Sequence, residues 1–405
     1  MLSLVQQQAI HQLLQRNRRQ KNGNQYTTPS PDSYPYQWLW DSCFHAIILT
    51  HLEPAAAEAE LSSLITKQWD DGMIPHILYW ESNLDVMRIN WGIQETSSHT
   101  QPPLIAYAAW RVYQTSKNRD WLEQLYPHLL RFHHYLINRQ QPGRSLLGII
   151  NPDESGEDNS PRFDEALNLP SQHDVAVHRE KRVALFDVHR ECRFDAVGCT
   201  ATSFWVEDVP FNVFMILNTE ALEHIATELN DRPIAKQLAV NRHQIATAMR
   251  EHMFDGTVYR SLYGAKEQKV TTVDSWSHFA PLLTGQYTKA EAKRIVETHY
   301  LSPGFSTPFR LPTVSSTDPT YNPAEPAWGQ PWQHPDWRGS IWMASNWCVY
   351  HGLKRNGFTD LANELKQQSK KLITQSGFRE NYHPETGIGQ GAQEFTWGGL
   401  IIDMN

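Results

Sequence analysis

Apolar residues recur every three or four positions along most of the chain, a period that predicts amphipathic helices. In 120–137 they form one stripe at Leu122, Leu125, Leu129, Phe132 and Leu136, with Asp120 as the expected N-cap. A second stripe runs through 231–254, where Asp231 is the expected cap and Pro233 lies in the first turn. Similar patterns predict helices at about 4–18, 54–67, 103–116, 208–229, 274–284, 288–298, 338–354 and 359–375.

Alternating strand patterns are scarce, and short strands are expected only near 258–263. Long segments rich in Pro, Gly, Asn, Asp and Trp separate the predicted helices, at 21–41, 69–101, 151–200, 302–337 and 376–397. Several exceed the roughly 12–15 residues of an ordinary connection, which indicates functional or self-packed loops.

No low-complexity linker divides the chain, so residues 1–405 are expected to form a single catalytic domain of about a dozen helices. An all-α fold, in which helical hairpins close into an (α/α)6 toroid with long loops over one end, fits this pattern. A helical solenoid is the competing architecture, but no repeat of roughly 34 or 40 residues is evident.

The net charge of −8 argues against nucleic acid and anionic membranes as partners. Neither a signal peptide nor an apolar stretch of about 18 residues is evident, so we expect an intracellular, cytoplasmic protein. The cysteines Cys43, Cys192, Cys199 and Cys348 show no C-x-x-C spacing, and separate reduced thiols are expected.

Tryptophan is unusually abundant, at 15 copies, and many copies fall in polar loop segments instead of apolar stripes. Indole faces beside polar groups suit sugar rings, although amphipathic packing with a satisfied N–H is an equally good explanation. The tryptophans in question include Trp38, Trp40, Trp69, Trp80, Trp91, Trp328, Trp332, Trp337 and Trp397.

Three early loops offer candidate site residues. In 34–45, Asp41 follows two tryptophans and either accepts sugar hydroxyls or caps a helix that begins near Cys43. Segment 69–76 has the composition of a turn. In 90–103, the amide of Gln101 either contacts a sugar or ties down its own loop.

The run NPDESGEDNSPRF at 151–163 holds four carboxylates that do not match a calcium-binding loop. It is therefore either a solvated acidic loop or the location of a proton donor. Two later loops carry an arginine among tryptophans, at Arg338, and a carboxylate before a Pro/Gly-rich segment, at Glu380. Phosphate-loop, H-E-x-x-H and G-x-S-x-G motifs are absent, so we predict neither a cofactor nor a metal.

These loops, in this order, resemble glycoside hydrolase family 63, especially its compact bacterial mannosylglycerate and glucosylglycerate hydrolases; trehalases are more distantly similar. The matching segments are YQWLWDSCFH at 36–45, WDDGMIPH at 69–76, TQPP at 100–103, DESGEDNSPRFD at 153–164, EDVPFN at 207–212, DWRGSIW at 336–342 and ENYHPETGIGQGAQEFTW at 380–397. The resemblance implies a toroid with its active site in the central cavity and hydrolysis of α-linked glucosides or mannosides with inversion.

Matched to the family's motifs, Asp158 is the expected general acid and Glu380 the expected general base, with Glu394 as a rival base. Inversion requires one carboxyl group to protonate the leaving oxygen and another to activate water on the opposite face. The acid requires a raised pKa, and the expected causes are like charge from Glu154 and Glu157 and burial under aromatic residues. Arg162 is expected to oppose this by pairing with Glu154 or Asp153.

The same matching assigns the terminal sugar to Trp40, Asp41 and Gln101. The expected cavity lining also includes Tyr36, Trp337, Arg338 and Gly339, whereas Trp397 is expected to support Glu380 instead of touching sugar. One departure from the family is Glu157, which stands where an aromatic residue is common.

A charged loop at 165–199 is either a solvated loop or a lid over the leaving-group site. Its cations would then favour an acidic aglycone such as glycerate; they are Arg179, Lys181, Arg182, Arg190 and Arg193.

The sequence thus predicts an inverting glycosidase that releases glucose or mannose from a small carbohydrate, such as glucosylglycerate, mannosylglycerate or an α-linked disaccharide. Two alternatives stay open at this point. One is a sugar epimerase or isomerase that uses a histidine base, and the other is a non-catalytic sugar-binding protein. The sequence does not specify an oligomeric state.

Overall fold

The computed structural model describes residues 2–80, 95–141, 143–170, 173–195, 198–324 and 336–405. Trp91, Trp328 and Trp332 lie outside these ranges, so the expectations for them are not addressed. Eleven α-helices are found in the described residues: α1 Leu4–Asn17, α2 Leu39–Thr50, α3 Pro54–Ile65, α4 Ile105–Ser116, α5 Arg119–Asn138, α6 Val175–Glu191, α7 Val209–Glu228, α8 Arg232–His252, α9 Lys289–Ile295, α10 Met343–Arg355 and α11 Thr359–Ser376.

Six elements form a closed inner ring, in which each one packs against the next and the last packs against the first. All twelve residues of α2 are buried, as are most of those in α7, because an inner helix has neighbours on every side. The ring comprises, in order, α2, α4, α7, a 3₁₀ segment at Ala280–Thr284, α10 and a 3₁₀ segment at Thr396–Ile402.

The outer helices cover this ring and bury only one face. In α5 the buried residues repeat the stripe that the sequence predicts, including Leu122, Leu125 and Leu129. Short links return the chain from inner to outer helices, as between α2 and α3 and between α7 and α8. The result is the predicted (α/α)6 toroid.

Several predicted boundaries differ in detail. Asn118, not Asp120, caps α5, because its side-chain oxygen accepts a hydrogen bond from the amide of Trp121 at 3.2 Å. Asp231 caps α8 as predicted and accepts from the amide of Ile234. The helix predicted at 274–284 is instead two short 3₁₀ turns, at Trp276–His278 and Ala280–Thr284.

Short antiparallel strands connect loops at the ends of the helices. In the loop that carries Glu380, β8 pairs with β9. The predicted strand near 258–263 is found as β6. The strands are β1 Arg18–Lys21, β2 Asn24–Thr27, β3 Gln37–Trp38, β4 Ile77–Leu78, β5 Val206–Glu207, β6 Leu262–Tyr263, β7 Lys269–Val270, β8 Arg379–Tyr382 and β9 Gly389–Gln393.

The charged segment 165–199 is not the loop that its composition suggested. Its centre is the helix α6, whose N-cap, Asp174, accepts a hydrogen bond from the amide of Ala176 at 2.8 Å. Just beyond the helix, Cys192 and Cys199 form a disulfide, so the expectation of four separate thiols is wrong. Cys43 and Cys348 are the buried free thiols.

One buried carboxylate near the chain end ties the inner ring together. Asp403 accepts hydrogen bonds from the indole of Trp347 at 2.8 Å and from the guanidinium of Arg111. It also contacts the imidazoles of His51 and His351. Contacts with α4, α10 and the end of α2 therefore hold the C-terminal segment against the ring. Within the described ranges, no helix combines the length and the apolarity needed to cross a bilayer.

Candidate active site

One cavity opens where loops from the inner-ring elements converge. Its described lining combines carboxylates with a wall of indoles, and the residues come from segments as far apart as 29 and 397. The lining residues are Pro29, Tyr34, Trp38, Trp40, Asp41, His76, Gln101, Asp153, Gly156, Asp158, Arg182, Asp336, Trp337, Trp342, Glu380, Phe395 and Trp397.

The acidic run at 151–163 is largely buried, and Glu154 fixes its position. The Glu154 carboxylate accepts hydrogen bonds from both terminal nitrogens of Arg139, at 3.0 and 2.6 Å. It also accepts from the amides of Thr100 at 3.3 Å and Ile150 at 2.9 Å. A buried charge is tolerated when it is paired and hydrogen-bonded in this way. Glu154 therefore joins the end of α5 to two loops of the cavity.

Glu157 has a similar structural position. Arg162 donates to both of its carboxylate oxygens, at 2.9 and 3.0 Å, and to Asp208, the N-cap of α7, at 3.1 Å. The indole of Trp276 adds a third hydrogen bond to Glu157. The predicted pairing of Arg162 with Glu154 or Asp153 is therefore wrong. Glu154 and Glu157 are each paired with a guanidinium, which compensates their negative charges. They are therefore not the uncompensated like charges that the sequence predicted beside Asp158.

Two carboxylates of the run line the cavity: Asp158, with a side chain that is 36% exposed, and the more deeply buried Asp153. The guanidinium of Arg182, from α6, donates to Asp158. The same guanidinium nitrogen lies 3.0 Å from Asp153. Asp153, for which the sequence indicated no role, is therefore part of the cavity as a partner of Arg182.

Glu380 lies on β8, and donors hold both of its oxygens. The Tyr34 hydroxyl donates to one oxygen at 2.5 Å, and the amide of Ala392, on β9, donates to the other at 2.7 Å. Burial, followed by the charge of Glu380, raises the pKa of Tyr34 well above its usual value, so the hydroxyl keeps its proton. Gly391 has φ +62°, and a Cβ there would overlap the Glu380 carboxylate.

Glu394 lies away from the cavity lining, where it forms a surface ion pair with Arg16. Trp397, which the sequence predicted to support Glu380 instead of touching sugar, donates its indole N–H to Asp41 at 2.8 Å and itself lines the cavity.

Trp40, Asp41 and Gln101, which the sequence assigned to the terminal sugar, all line the cavity. The helix α2 begins at Leu39, so Asp41 lies inside its first turn and is not the cap of a helix starting near Cys43. The side-chain oxygen of Gln101 accepts from the amide of Trp40 at 3.1 Å, which fixes the start of α2 against the Gln101 loop.

Three of the predicted lining residues have other surroundings. Tyr36 packs edge-on against Tyr79 with 5.0 Å between ring centroids. Arg338 is buried and donates to the Asp164 carboxylate. Gly339 has φ +142°, and a Cβ there would overlap the ring of Tyr321. None of the three is among the described lining residues.

The neighbouring Trp337 lines the cavity, and its ring stacks on Trp342 with centroids 4.1 Å apart. Sequence reasoning missed Tyr34, Trp342 and Asp336, although all three lie inside or beside the motifs that it identified. Adjacency to an identified motif was the available signal, but which side chains turn inward depends on the folded backbone.

This arrangement brings two carboxyl groups that are about 220 residues apart in sequence, Asp158 and Glu380, into one cavity with apolar aromatic walls. Such a cavity suits a sugar ring, which has apolar C–H faces and hydroxyl edges. Paired carboxyl groups in different surroundings are what acid–base cleavage of a glycosidic bond requires.

The toroid and this cavity define a glycoside hydrolase. The chain belongs to the mannosylglycerate hydrolase MGH1-like glycoside hydrolase family, whose domain model matches residues 34–398, and so to glycoside hydrolase family 63.

Named relatives extend over nearly the whole chain. A mannosylglycerate hydrolase of Thermus thermophilus is 31% identical, covering 96% of this chain and 98% of that protein. A glucosylglycerate hydrolase of Mycolicibacterium hassiacum is 26% identical, with 92% of each covered.

Solved structures agree with this relationship. The crystal structure of a mannosylglycerate hydrolase from Thermus thermophilus with Tris and D-glycerate has a TM-score of 0.86 at 29% identity, covering 98% of this chain and 99% of that one. Neutral trehalase of Saccharomyces cerevisiae, at 16% identity and a TM-score of 0.61, shares the fold and covers 94% of this chain and 72% of its own.

Gly156→Ala tests how closely the acidic run must approach the indole wall. Gly156 has φ +70°, and a Cβ there would overlap the Trp40 ring. We expect loss of most hydrolytic activity, because either the Trp40 ring or the loop that carries Asp158 must shift. Gly23→Ala is the matched control, since Gly23 has φ +77° with nothing within 4 Å of a new Cβ. Equal activity and melting temperature in the two variants would contradict the expectation.

Asp41→Asn tests the protonation of the buried carboxyl. Burial, opposed by the charge of His45, raises the pKa of Asp41 from 3.8 to about 7. The folded protein therefore binds this proton more tightly than the unfolded chain, and the carboxyl's contribution to stability falls as pH rises from about 4 to 7. Between pH 5 and 7 the free energy of unfolding should fall by about 2 kcal/mol more in the wild type than in Asp41→Asn. Urea unfolding at a series of pH values measures the free energy of unfolding of both proteins. The same pH dependence in wild type and Asp41→Asn would refute the prediction.

Proposed function

We propose that this glycoside hydrolase is an inverting α-glycosidase that releases glucose or mannose from a small glycoside. One observation carries the proposal: Asp158 and Glu380, about 220 residues apart in sequence, line the same aromatic cavity. The whole chain acts as a single catalytic domain in this proposal, since the described residues that line the cavity extend from Pro29 to Trp397.

Asp158 is the proposed general acid. It gives its proton to the glycosidic oxygen as the bond to the anomeric carbon breaks, and the leaving group departs as a neutral alcohol. The exposure of its side chain toward the cavity supports this role, because a leaving oxygen can reach it. The buried neighbours Glu154 and Glu157 have structural roles.

Glu380 is the proposed general base. It takes a proton from a water molecule, whose oxygen then bonds to the anomeric carbon from the face opposite the leaving group. The Tyr34 hydroxyl and the Ala392 amide support this role, because both donate to the carboxylate and fix its orientation. A fixed base lowers the entropy cost of positioning the water.

The terminal sugar is proposed to bind among Trp40, Asp41, Gln101 and Trp337. Indoles cover the apolar ring face, while the carboxylate and amide bind hydroxyls. Trp397 belongs to the same group because its N–H orients Asp41.

Candidate substrates include mannosylglycerate, glucosylglycerate and α-linked disaccharides, in line with the relatives' names. In the described parts of the chain, Arg182 is the only arginine or lysine that lines the cavity. Of the cations in segment 165–199, it is therefore the one that supports a role for this segment at the leaving-group site. We propose that α6 is a wall of that site.

A sugar epimerase is less well supported. His76 is the histidine among the described lining residues, and burial, followed by the charge of Arg182, lowers its pKa to about 3. A histidine with such a pKa is a weak base at neutral pH.

A cytoplasmic location stays a prediction from sequence. The disulfide between Cys192 and Cys199 argues against it, because such bonds are rare in reducing compartments.

Removing either catalytic carboxyl should abolish turnover and leave folding intact. We expect Asp158→Asn and Glu380→Gln to reduce kcat for the preferred glycoside at least about a thousandfold, since each removes one half of acid–base catalysis. Released hexose and circular dichroism measure the two effects. Glu394→Gln is the control, because Glu394 forms a surface pair, and it should retain activity. Near-normal turnover by Asp158→Asn would exclude the acid assignment.

The stereochemistry of the product tests the mechanism independently. Attack of water opposite the leaving group converts an α-glycoside into a β-hexose. Proton NMR during the first minutes of hydrolysis should therefore show the β-anomer before mutarotation. Initial appearance of the α-anomer would exclude inversion.

A further inference from the structure

The disulfide between Cys192 and Cys199 directly follows the helix that we propose as a wall of the leaving-group site. Cys192 is the C-cap of α6, and the two cysteines are 7 positions apart in the chain. Cys192 is buried, whereas Cys199 is exposed to solvent. A dissolved thiol can therefore reach the sulfur of Cys199, which is the requirement for thiol–disulfide exchange.

The helix α6 has a narrow apolar face. Its buried residues are Val175, His178, Arg182, Leu185, Phe186 and His189, so half of them carry polar side chains. A helix in a protein owes most of its stability to the packing of an apolar face. A helix with few buried apolar contacts opens more easily than the core. The position of α6 therefore depends on its polar contacts and on what holds its ends.

Those polar contacts connect α6 to the acidic run. Arg182 pairs with Asp158, the proposed general acid. The side-chain amide of Asn151 donates to the backbone carbonyl of Arg182 at 3.3 Å, and a ring nitrogen of His189 lies 3.1 Å from the carbonyl oxygen of Ile150. A shift of α6 would therefore disturb both the start of the acidic run and the cation beside the acid.

Beyond α6, Phe194 closes the end of the helix. Its amide donates to the carbonyl of His189 at 2.8 Å, and its ring packs edge-on against Trp69 with 5.9 Å between ring centroids. Its φ is +61°, in the left-handed region that residues other than glycine seldom adopt. Such a conformation persists where surrounding contacts enforce it. The disulfide supplies a covalent contact of this kind, since Cys192 and Cys199 lie on either side of Phe194.

We propose that the Cys192–Cys199 disulfide is a redox-sensitive switch for the leaving-group site. The oxidised protein holds α6 against the acidic run and is the more active form. Reduction loosens the end of α6, and with it the placement of Arg182 beside Asp158. The effect on activity rests on the proposed glycosidase function, whereas the effect on α6 does not.

The switch needs a dithiol as the reductant. A thiolate of the dithiol attacks the sulfur of Cys199, the S–S bond breaks, and the sulfur of Cys192 leaves as a thiolate that takes up a proton. The second thiol of the reductant then attacks the mixed disulfide and releases Cys199. The protein gains two electrons and two protons, and the dithiol is oxidised to its own disulfide.

Reduction of the native protein with dithiothreitol tests the switch, with mannosylglycerate and glucosylglycerate as substrates. Alkylation and mass spectrometry of Cys192 and Cys199 establish the redox state. We expect kcat/KM to fall at least about fivefold on reduction, the lower end of a typical coupling between two sites. Reoxidation should restore it. Amide hydrogen exchange should become faster in α6 and stay unchanged in α5.

Cys192→Ser/Cys199→Ser is the matched variant, because it removes the disulfide and nearly keeps the size of both side chains. It should show the low kcat/KM of the reduced protein and no response to dithiothreitol. Cys43 and Cys348 are free thiols in both proteins, so a response of the double variant would assign the effect elsewhere and overturn the inference. If the double variant fails to fold, the reduced wild type decides.

Two further results would overturn the inference. One is equal kcat/KM and equal exchange of α6 in the oxidised and the fully reduced protein. The other is faster exchange in every helix on reduction, which would make the disulfide a support of the whole fold instead of a switch for α6.

Failure of the proposed function is distinguishable from failure of the inference. If the oxidised protein hydrolyses neither glycoside, the glycosidase proposal fails for these substrates. Hydrogen exchange of α6, together with saturation-transfer NMR of D-glycerate in the two redox states, then tests the switch without turnover. Faster exchange and weaker binding after reduction support the inference, and equal values overturn it.

Discussion

The site depends on two buried ion pairs, Glu154–Arg139 and Glu157–Arg162, beneath the loop that carries Asp158. A buried carboxylate is stable only with a partner, and removal of one partner from such a pair costs roughly 3–5 kcal/mol. The pairs therefore fix the loop to the end of α5 and, through Asp208, to the start of α7. Two carboxylates of the acidic run are held inside the protein, which sets Asp158 at the cavity surface.

Elsewhere in the cavity, too, hydrogen bonds from neighbouring groups fix the orientation of carboxyl groups. Tyr34 and a backbone amide orient Glu380, and the Trp397 indole orients Asp41. Glycines at 156 and 391 are needed because larger residues would overlap Trp40 and Glu380. Identical side-chain types thus acquire different chemistry from their surroundings, as paired carboxyl groups in glycosidases must.

The outer helices could be predicted from sequence because their apolar stripes are local, as in α5 and α8. The inner 3₁₀ segments and α6 could not. Residues 275–284 are all buried, polar and apolar alike, so their pattern does not distinguish an α-helix from tighter turns. The charges of α6 resemble a solvated loop, although one of them, Arg182, is buried and pairs with the buried Asp153.

The sequence by itself determined the helical class, the segments that hold the site and, through family resemblance, the presence of Asp158 and Glu380 in it. Tertiary structure decided which neighbours of each motif enter the cavity. Arg338 turns toward Asp164 while Asp336 and Trp337 face inward, and Tyr36 turns away while Tyr34 reaches Glu380. The physical reason is that these contacts join residues far apart in the chain, and local spacing carries no information about them.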